Sequence, residues 1–296
     1  MTLVLISTIP YAVAQDEEAN DGIAQIVLIT AKDGHAKALE EAITAYHHYV
    51  ADKEGAFRWQ WYSILTGPET GKYVARTGGH NWADLDATHD WDDEAAAKFG
   101  SDVQPHIASV EAIIRRTNQK VGIWPDSLQD YPYFSVTTWH IKQDQGKAFN
   151  DGLKKIDAAL KEGGFPVYYT FSSAVSGGKG EQVNLVIPRK SFADMAPKEP
   201  SFDDIMNKAM GEEGAAAFLA EWSQTYYTGQ NRLIKYRPKL SDYGDGGGDW
   251  HPIYKRSYKP RCKCRGFFGT ENLDPNCCGF PISWPWALVN SLKVKP

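Results

Sequence analysis

The sequence has 296 residues, of which 42% are hydrophobic and 23% charged, and its formal net charge is −5. This composition excludes a disordered chain, and no basic stripe of the kind that binds nucleic acid is present. The length suffices for about two domains of ordinary size. Beyond the N-terminus no stretch is apolar and long enough to predict a membrane span.

The first 14 residues have the features of a secretory signal peptide. Residues 3–9 form a short apolar run, and Ala12 and Ala14 are small residues placed before a predicted cleavage between Ala14 and Gln15. No positive charge precedes the run, so the alternative is an apolar terminus without a targeting role. We expect an exported protein, periplasmic or extracellular, in which residues 15–23 form a loose lead-in.

The chain then carries one pattern twice. Two segments 110 residues apart have the same helical stripe of apolar side chains, which predicts two helices with one buried face each. The stripes are Leu39, Ile43, Tyr46 and Val50 in the first segment and Phe149, Leu153, Ile156 and Leu160 in the second. Each helix is followed by two predicted strands with a glycine-containing turn between them.

Both copies read as strand, helix, strand, strand, helix, strand, which is the order of the ferredoxin-like motif. The helices of such a sheet cover one face, so the other face must be buried elsewhere. The sequence therefore predicts an α+β protein of two tandem ferredoxin-like units packed sheet to sheet as a barrel-like pseudo-dimer. We place the first repeat at residues 24–120, a linker at 121–133 and the second repeat at 134–240.

The turn of the first copy carries a resemblance. The stretch Leu65-Thr66-Gly67-Pro68-Glu69-Thr70-Gly71-Lys72-Tyr73, with Trp82 downstream, resembles exported bacterial proteins without assigned activity. Over residues 24–240 the chain is similar to a tandem version of the dimeric α/β-barrel superfamily. The second copy departs from this pattern, with Val175-Ser176-Gly177-Gly178 at the turn. Because the superfamily includes cofactor-independent monooxygenases and haem enzymes, the resemblance implies an oxidative role as one alternative.

Residues 241–296 form a glycine-rich linker and a tail that contains all four cysteines. The tail has no helical or strand periodicity, and three interpretations stay open for it. It has no defined structure, or it holds two disulfides, or its thiolates bind a metal, although these spacings fit a zinc site poorly. The disulfide candidates are Cys262, Cys264, Cys277 and Cys278.

Nine residues are candidates for a ligand pocket. Aromatic residues on strands can line an apolar cavity, and an inward arginine requires an acidic partner or an anionic ligand. The alternatives are that the aromatic rings are ordinary core and that the histidines are hydrogen-bonded or exposed. The nine are Arg58, Trp59, Trp61, Tyr62, Arg76, His80, His140, Tyr168 and Tyr169.

No nucleophile motif, phosphate loop or paired-histidine metal motif is present, so the catalytic residues are unknown. We predict no cofactor; haem, held by His80 or His140, stays an alternative. The expected function is the binding of a small apolar or aromatic molecule between sheet and helices, with an oxidative enzyme or a structural protein as alternatives. A homo-oligomer is a further expectation, and nucleic acid is not expected as a partner.

Overall fold

The structure, a computed structural model, describes residues 21–241. The predicted signal segment, most of the lead-in and all four cysteines lie outside the described residues, as does the tail after Ser241. Within the described part, no helix combines the length and apolar character needed to cross a membrane.

The described chain contains eight β-strands and five α-helices. The strands are β1 (Ile23–Ala31), β2 (Gln60–Ile64), β3 (Tyr73–His80), β4 (Ile107–Ile123), β5 (Tyr133–Ile141), β6 (Tyr169–Ser176), β7 (Gln182–Arg189) and β8 (Tyr226–Tyr236). The helices are α1 (Ala36–Val50), α2 (Asp92–Asp102), α3 (Gly146–Glu162), α4 (Phe202–Met210) and α5 (Glu212–Ser223). The predicted order of strands and helices is therefore observed, with a helix pair, α4 and α5, before the last strand.

All eight strands form one closed antiparallel barrel, in the order β1-β3-β2-β8-β5-β7-β6-β4. Each half of the chain contributes four neighbouring strands, and their order is the same in both halves, with the first strand between the third and the fourth. The halves join edge to edge, β2 against β8 and β4 against β6. A closed barrel leaves no strand edge unpaired, which removes the usual route to edge-to-edge association.

Three clusters of buried side chains hold the fold. One lies between the first-half strands and α1 and α2, a second between the second-half strands and α3, α4 and α5, and a third inside the barrel. The two predicted apolar stripes are confirmed, because all eight residues are buried on α1 and α3. Alternation along each strand separates the residues that face the helices from those that face the barrel interior.

The segment after β3 is a single 3-10 turn (Trp82–Asp86) where we predicted the start of a helix. Asn81 and Asp84 form a capping box, in which the Asn81 backbone amide donates to Asp84 Oδ2 at 2.7 Å. The chain then runs as a loop to Asp92, where α2 begins. That loop forms one wall of the pocket described below.

The end of the second half is tied to the first half by charged hydrogen bonds. Arg237 donates from Nη2 to Glu40 Oε2 at 2.7 Å and from Nη1 to the Ser63 hydroxyl at 2.8 Å. The Tyr73 hydroxyl donates to the other oxygen of Glu40 at 2.8 Å. Burial and the Glu40 carboxylate raise the pKa of Tyr73 to about 12, so this hydroxyl keeps its proton and its bond to Glu40 at neutral pH.

Candidate functional site

An open pocket of about 50 Å³ lies in the first half between sheet and helices. One side is formed by α1, through Tyr46 and Val50, and the floor by the extended segment that leads into β2, through Phe57 and Trp59. The loop after the 3-10 turn, including Trp91, forms the other side. The lining is mainly aromatic and apolar, which is the usual character of small-molecule sites.

The loop wall is built around an imidazole with a carboxylate neighbour. His89 stacks on Trp91 with ring centroids 4.8 Å apart and planes inclined by 16°. Its Nδ1 lies 3.3 Å from Asp92 Oδ1, and the Asp92 carboxylate also accepts from the His89 backbone amide at 2.8 Å. The Trp91 indole donates to the Glu54 carbonyl at 3.1 Å, which fixes the wall to the end of α1.

Gly55 is the residue that allows this arrangement. Its φ of +80° favours glycine, and a Cβ at this position would overlap the His89 ring. In the second half the glycine at the matching place in the sequence is Gly163, whose backbone is helical, and a Cβ there would meet Ile205 of α4. Ile205 and Met206 are buried against α3 in that half. The extra helix α4 thus fills the space that corresponds to the pocket.

Behind the pocket, a buried histidine supports the floor. His47 of α1 accepts from the Trp61 indole at 3.3 Å, and its side chain is 6% exposed. Burial lowers the pKa of His47 to about 4, and the neighbouring positive charge of Arg58 acts in the same direction. His47 is therefore neutral at physiological pH and acts as a hydrogen-bond acceptor.

The barrel interior has two sides of opposite character. The strands pair in the same register at the β2–β8 junction and at the β4–β6 junction. Each interior position near one junction therefore has an equivalent position near the other, and four such pairs are compared below. We name the apolar set, at the β2–β8 junction, the apolar seam; it consists of Leu28, Tyr62, Val74 and Ile234. Its equivalents at the β4–β6 junction form the polar seam, which consists of Thr138, Ser172, Asn184 and Arg115 in the same order.

The polar seam is connected by hydrogen bonds. Arg115 donates from Nε to the Ser172 hydroxyl at 3.1 Å and from Nη2 to the Ser172 carbonyl at 2.7 Å, with a longer contact to the Gln182 carbonyl at 3.4 Å. The Thr138 hydroxyl donates to Asn184 Oδ1 at 2.9 Å. Burial, with a smaller contribution from the charge of Arg232, lowers the pKa of Arg115 to about 10, so it stays charged at neutral pH.

The structure disperses the nine predicted site residues. Only Trp59 lines the pocket. Trp61 lies beneath it against His47, and Arg58 donates to the Ala51 carbonyl at the end of α1 at 2.7 Å. His80 packs on Phe57 with centroids 4.2 Å apart, and its Nε2 lies 2.8 Å from the Thr77 hydroxyl. Burial lowers the pKa of His80 to about 4.

The remaining candidates lie elsewhere. Tyr62 belongs to the apolar seam, and Arg76 reaches Gln60 Oε1 inside the barrel at 3.2 Å. In the second half, the hydroxyl of Tyr169 donates to Asp157 at 2.9 Å. Tyr168 is 39% exposed, and His140 Nδ1 lies 3.4 Å from the Lys179 carbonyl. The aromatic strand residues are thus mostly core, which was the simpler interpretation.

The pattern of the sequence did not single out Tyr46, Trp91 or Asp92 as pocket residues. Tyr46 was visible only as part of a helical stripe, and the loop residues carry no periodic signal. His89 precedes Asp90 in the sequence, whereas the carboxylate that contacts it is Asp92. Among residues 21–241, no group of three or more histidine, cysteine or acidic side chains is placed to hold a metal ion.

The chain was compared with protein families, curated proteins and solved structures. No protein-family model matches the sequence, and no curated protein matches it. Among solved structures, a chlorite dismutase from Candidatus Nitrospira defluvii is 7% identical with a TM-score of 0.46, covering 74% of this chain and 92% of its own. An anthrone oxidase-like protein is 11% identical with a TM-score of 0.44, covering 76% of this chain and 94% of its own.

A third similar structure, from Fusobacterium nucleatum and provisionally classed as a monooxygenase, is 9% identical with a TM-score of 0.48 and covers 79% of this chain and 99% of its own. Similarity at this level carries no statement about chemistry. The expected resemblance to the dimeric α/β-barrel superfamily is confirmed as a fold, because eight antiparallel strands close into one barrel with the helices outside it.

Proposed function

We propose that this protein binds a small aromatic molecule in the pocket formed by α1, the segment 55–59 and the loop 87–92. The observation that supports this most directly is the open aromatic lining in the first half, at a place that α4 fills in the second. We further propose that the chain is a fused pair of ferredoxin-like units and that it is exported, as its first residues suggest.

The size of the pocket restricts the ligand. A volume of about 50 Å³ is one third of the roughly 150 Å³ cavity that accommodates benzene. A ring therefore enters edge first, with part of its surface left at the mouth. Contact with the faces of Trp59 and Trp91 would stabilise it by offset or edge-to-face packing, each pair contributing about 1 kcal/mol beyond burial.

Haem does not fit this site. Ligand pockets for cofactors of that size measure roughly 300–1,000 Å³, and the corresponding region of the second half is filled by Ile205 and Met206. Between β5 and the helices, Trp139, Phe149 and Trp222 pack against one another at centroid distances of 5.2 to 5.8 Å. His80 is stacked on Phe57, and its Nε2 lies at the Thr77 hydroxyl, so this nitrogen is not open to a haem iron.

A second candidate function is a cofactor-independent oxidative enzyme, and one observation favours it. The imidazole of His89, oriented by Asp92, lies in the pocket wall, where it can accept the proton of a bound phenol. The phenolate and molecular oxygen, with the proton returned from His89, yield a quinone and water; the phenol itself is the reductant, so no external one is needed. Oxygen uptake by the protein with 1-naphthol, lost in His89→Gln, would support this function, and binding without uptake would leave the binding function alone.

The binding proposal is tested with saturation-transfer NMR on the full chain, using indole and phenol as probes. Ala87→Trp places a bulky ring in the pocket lining, and Ala83→Trp, on the preceding turn and outside the lining, is the matched control. We expect transfer in the wild type and the control and at least a five-fold loss in Ala87→Trp. Equal signals in all three proteins would place the ligand elsewhere and overturn the proposal.

A further inference from the structure

The polar seam inside the barrel has a feature that the proposed pocket does not use. Arg115 is 4% exposed, and within residues 21–241 no carboxylate forms an ion pair with it. A buried charge without a partner of opposite sign is costly, and it persists in folded proteins where something compensates it. Ser172 and the two carbonyls supply hydrogen bonds but no full negative charge.

The neighbouring charge increases this requirement. Arg232 lies close enough for its charge to act against that of Arg115. Arg232 is itself paired with Glu69, the acidic residue of the first-half turn, so its own charge is compensated. The corresponding turn of the second half, residues 177–181, has one acidic residue, Glu181, and its carboxylate lies against Gly146 at the start of α3 and not at Arg115. Within residues 21–241, Arg115 thus carries a positive charge at the polar seam without a carboxylate partner.

Hydrogen-bond donors without an acceptor lie on the same seam. Neither Arg115 Nη1 nor Asn184 Nδ2 has a protein acceptor in the described part of the chain. Neither atom is among the fully enclosed polar atoms that have no partner in the described part of the chain, so both remain in contact with solvent. Asn184 is 8% exposed, and because its oxygen accepts from the Thr138 hydroxyl, the two hydrogens of its amide nitrogen are the donors left for another acceptor.

Comparison of the two seams shows that polar side chains occupy these positions at the β4–β6 junction but not at the β2–β8 junction. The positions equivalent to Arg115, Ser172 and Asn184 hold Ile234, Tyr62 and Val74, which pack together in one apolar cluster without a charged side chain among them. The same barrel position is thus stable as an apolar cluster, so the polar residues are not required by the architecture. A role outside folding explains four polar substitutions placed together.

We propose that the polar seam is a binding site for a small oxyanion, a carboxylate or a phosphate, held by Arg115 and Asn184 inside the barrel. The guanidinium and the amide are donors, and a planar or tetrahedral oxyanion accepts from both at once. Ser172 orients Arg115 through Nε, which leaves Nη1 for the ligand. The site lies on the opposite sheet face from the aromatic pocket, so the two ligands would not compete directly.

The test is thermal unfolding of the full chain with inorganic phosphate or acetate added at constant ionic strength. At about ten times Kd, a ligand that binds only the folded state should raise Tm by about 3 °C for a chain of this size. A rise with phosphate alone assigns a phosphate ligand and a rise with acetate alone a carboxylate. No rise with either anion up to 50 mM would overturn the proposal.

Two variants give the test its specificity. Asn184→Val introduces the residue found at the equivalent apolar position, and Arg115→Gln removes the charge while keeping an amide donor. We expect each to weaken anion binding at least ten-fold, measured by titration calorimetry. Arg76→Gln, which removes another arginine of the barrel interior, is the control and should bind as the wild type does. Equal loss in Arg76→Gln, or none in Asn184→Val and Arg115→Gln, would contradict the assignment.

Discussion

The imidazole of His89 occupies the space that a side chain at Gly55 would need. Gly55→Ala therefore combines a strained backbone at φ +80° with a direct overlap against His89. We expect it to lower the free energy of unfolding by about 2–4 kcal/mol and to displace His89 from Trp91. Urea denaturation gives the first quantity, and loss of indole binding reports the second.

Gly34→Ala is the matched control for this change. Gly34 has a nearly identical φ of +77°, but an added Cβ would have no neighbour within 4 Å. The control therefore carries the backbone strain without the overlap, and we expect a cost of only about 1 kcal/mol and normal binding. An equal decrease in the free energy of unfolding in both variants would mean that His89 moves aside at no cost and that the pocket wall is not fixed.

The two buried histidines predict a pH dependence of stability. Their pKa values fall from 6.5 to about 4 on folding, so between these values the unfolded chain binds more protons than the folded one. Stability is then fully present above pH 6.5 and falls as the pH decreases toward 4. For His47 the loss amounts to about 3 kcal/mol. Carboxyl groups with lowered pKa values, such as Asp102, titrate below 3.8, outside this window.

Denaturation curves at pH 7 and pH 4.5 measure this effect. His47→Gln keeps an acceptor for the Trp61 indole but does not titrate, so it should reduce the difference between the two pH values by about half. His80→Gln should remove a comparable part. A variant that keeps the full wild-type difference would show that the residue in question is not the source of the pH dependence.

Asp157 of α3 fixes an irregular part of β4. Its Oδ1 accepts from the Gly122 amide at 2.8 Å and from the Tyr169 hydroxyl at 2.9 Å, and Oδ2 accepts from Lys161 at 2.8 Å. We expect Asp157→Ala to cost about 3 kcal/mol, because it leaves a buried amide and hydroxyl without an acceptor. Tyr169→Phe should cost about 1 kcal/mol, and Tyr168→Phe, next to it but 39% exposed, almost nothing.

Glu40 and Glu41 are adjacent in the sequence, but their substitution should change the free energy of unfolding by different amounts. Glu40→Ala leaves Arg237 and Tyr73 without their shared acceptor, and we expect a loss of about 2 kcal/mol in the free energy of unfolding. Glu41 pairs only with Lys37, at 3.6 Å and in solvent, so Glu41→Ala should change stability by less than 0.5 kcal/mol. Chemical denaturation of the two variants side by side checks this, and equal effects would contradict it.

The order of strands and helices was predictable because the duplication repeats every local signal. Leu39 and Phe149 are buried as predicted, and Trp61 and Tyr62 face opposite sides of β2 as their alternation requires. The strand ends were less predictable. β4 extends to Ile123 through an irregularity after Thr117, because its register depends on Asp157 and on β6, which lie far away in the sequence.

The site was predictable only in part, for a physical reason. Aromatic residues on strands pack in the core as readily as they line a pocket, so Trp59 and Tyr169 look alike in the sequence. Which of them meets open space is decided by α4, which closes the second half, and by the loop at His89, which does not close the first. Arg115 gave no signal, because its burial follows from the pairing of β4 with β6.

The unequal seams determine how the halves would behave if they were separated. Arg115 belongs to the first half and its acceptor Ser172 to the second. At the other seam, Ile234, which is equivalent to Arg115, belongs to the second half, and Tyr62, which is equivalent to Ser172, belongs to the first. Two first halves would bring each Arg115 against Tyr62, and two second halves would set each Ser172 against Ile234. Either self-pairing loses the guanidinium contacts, so mixed fragments should assemble one to one in preference to either homodimer.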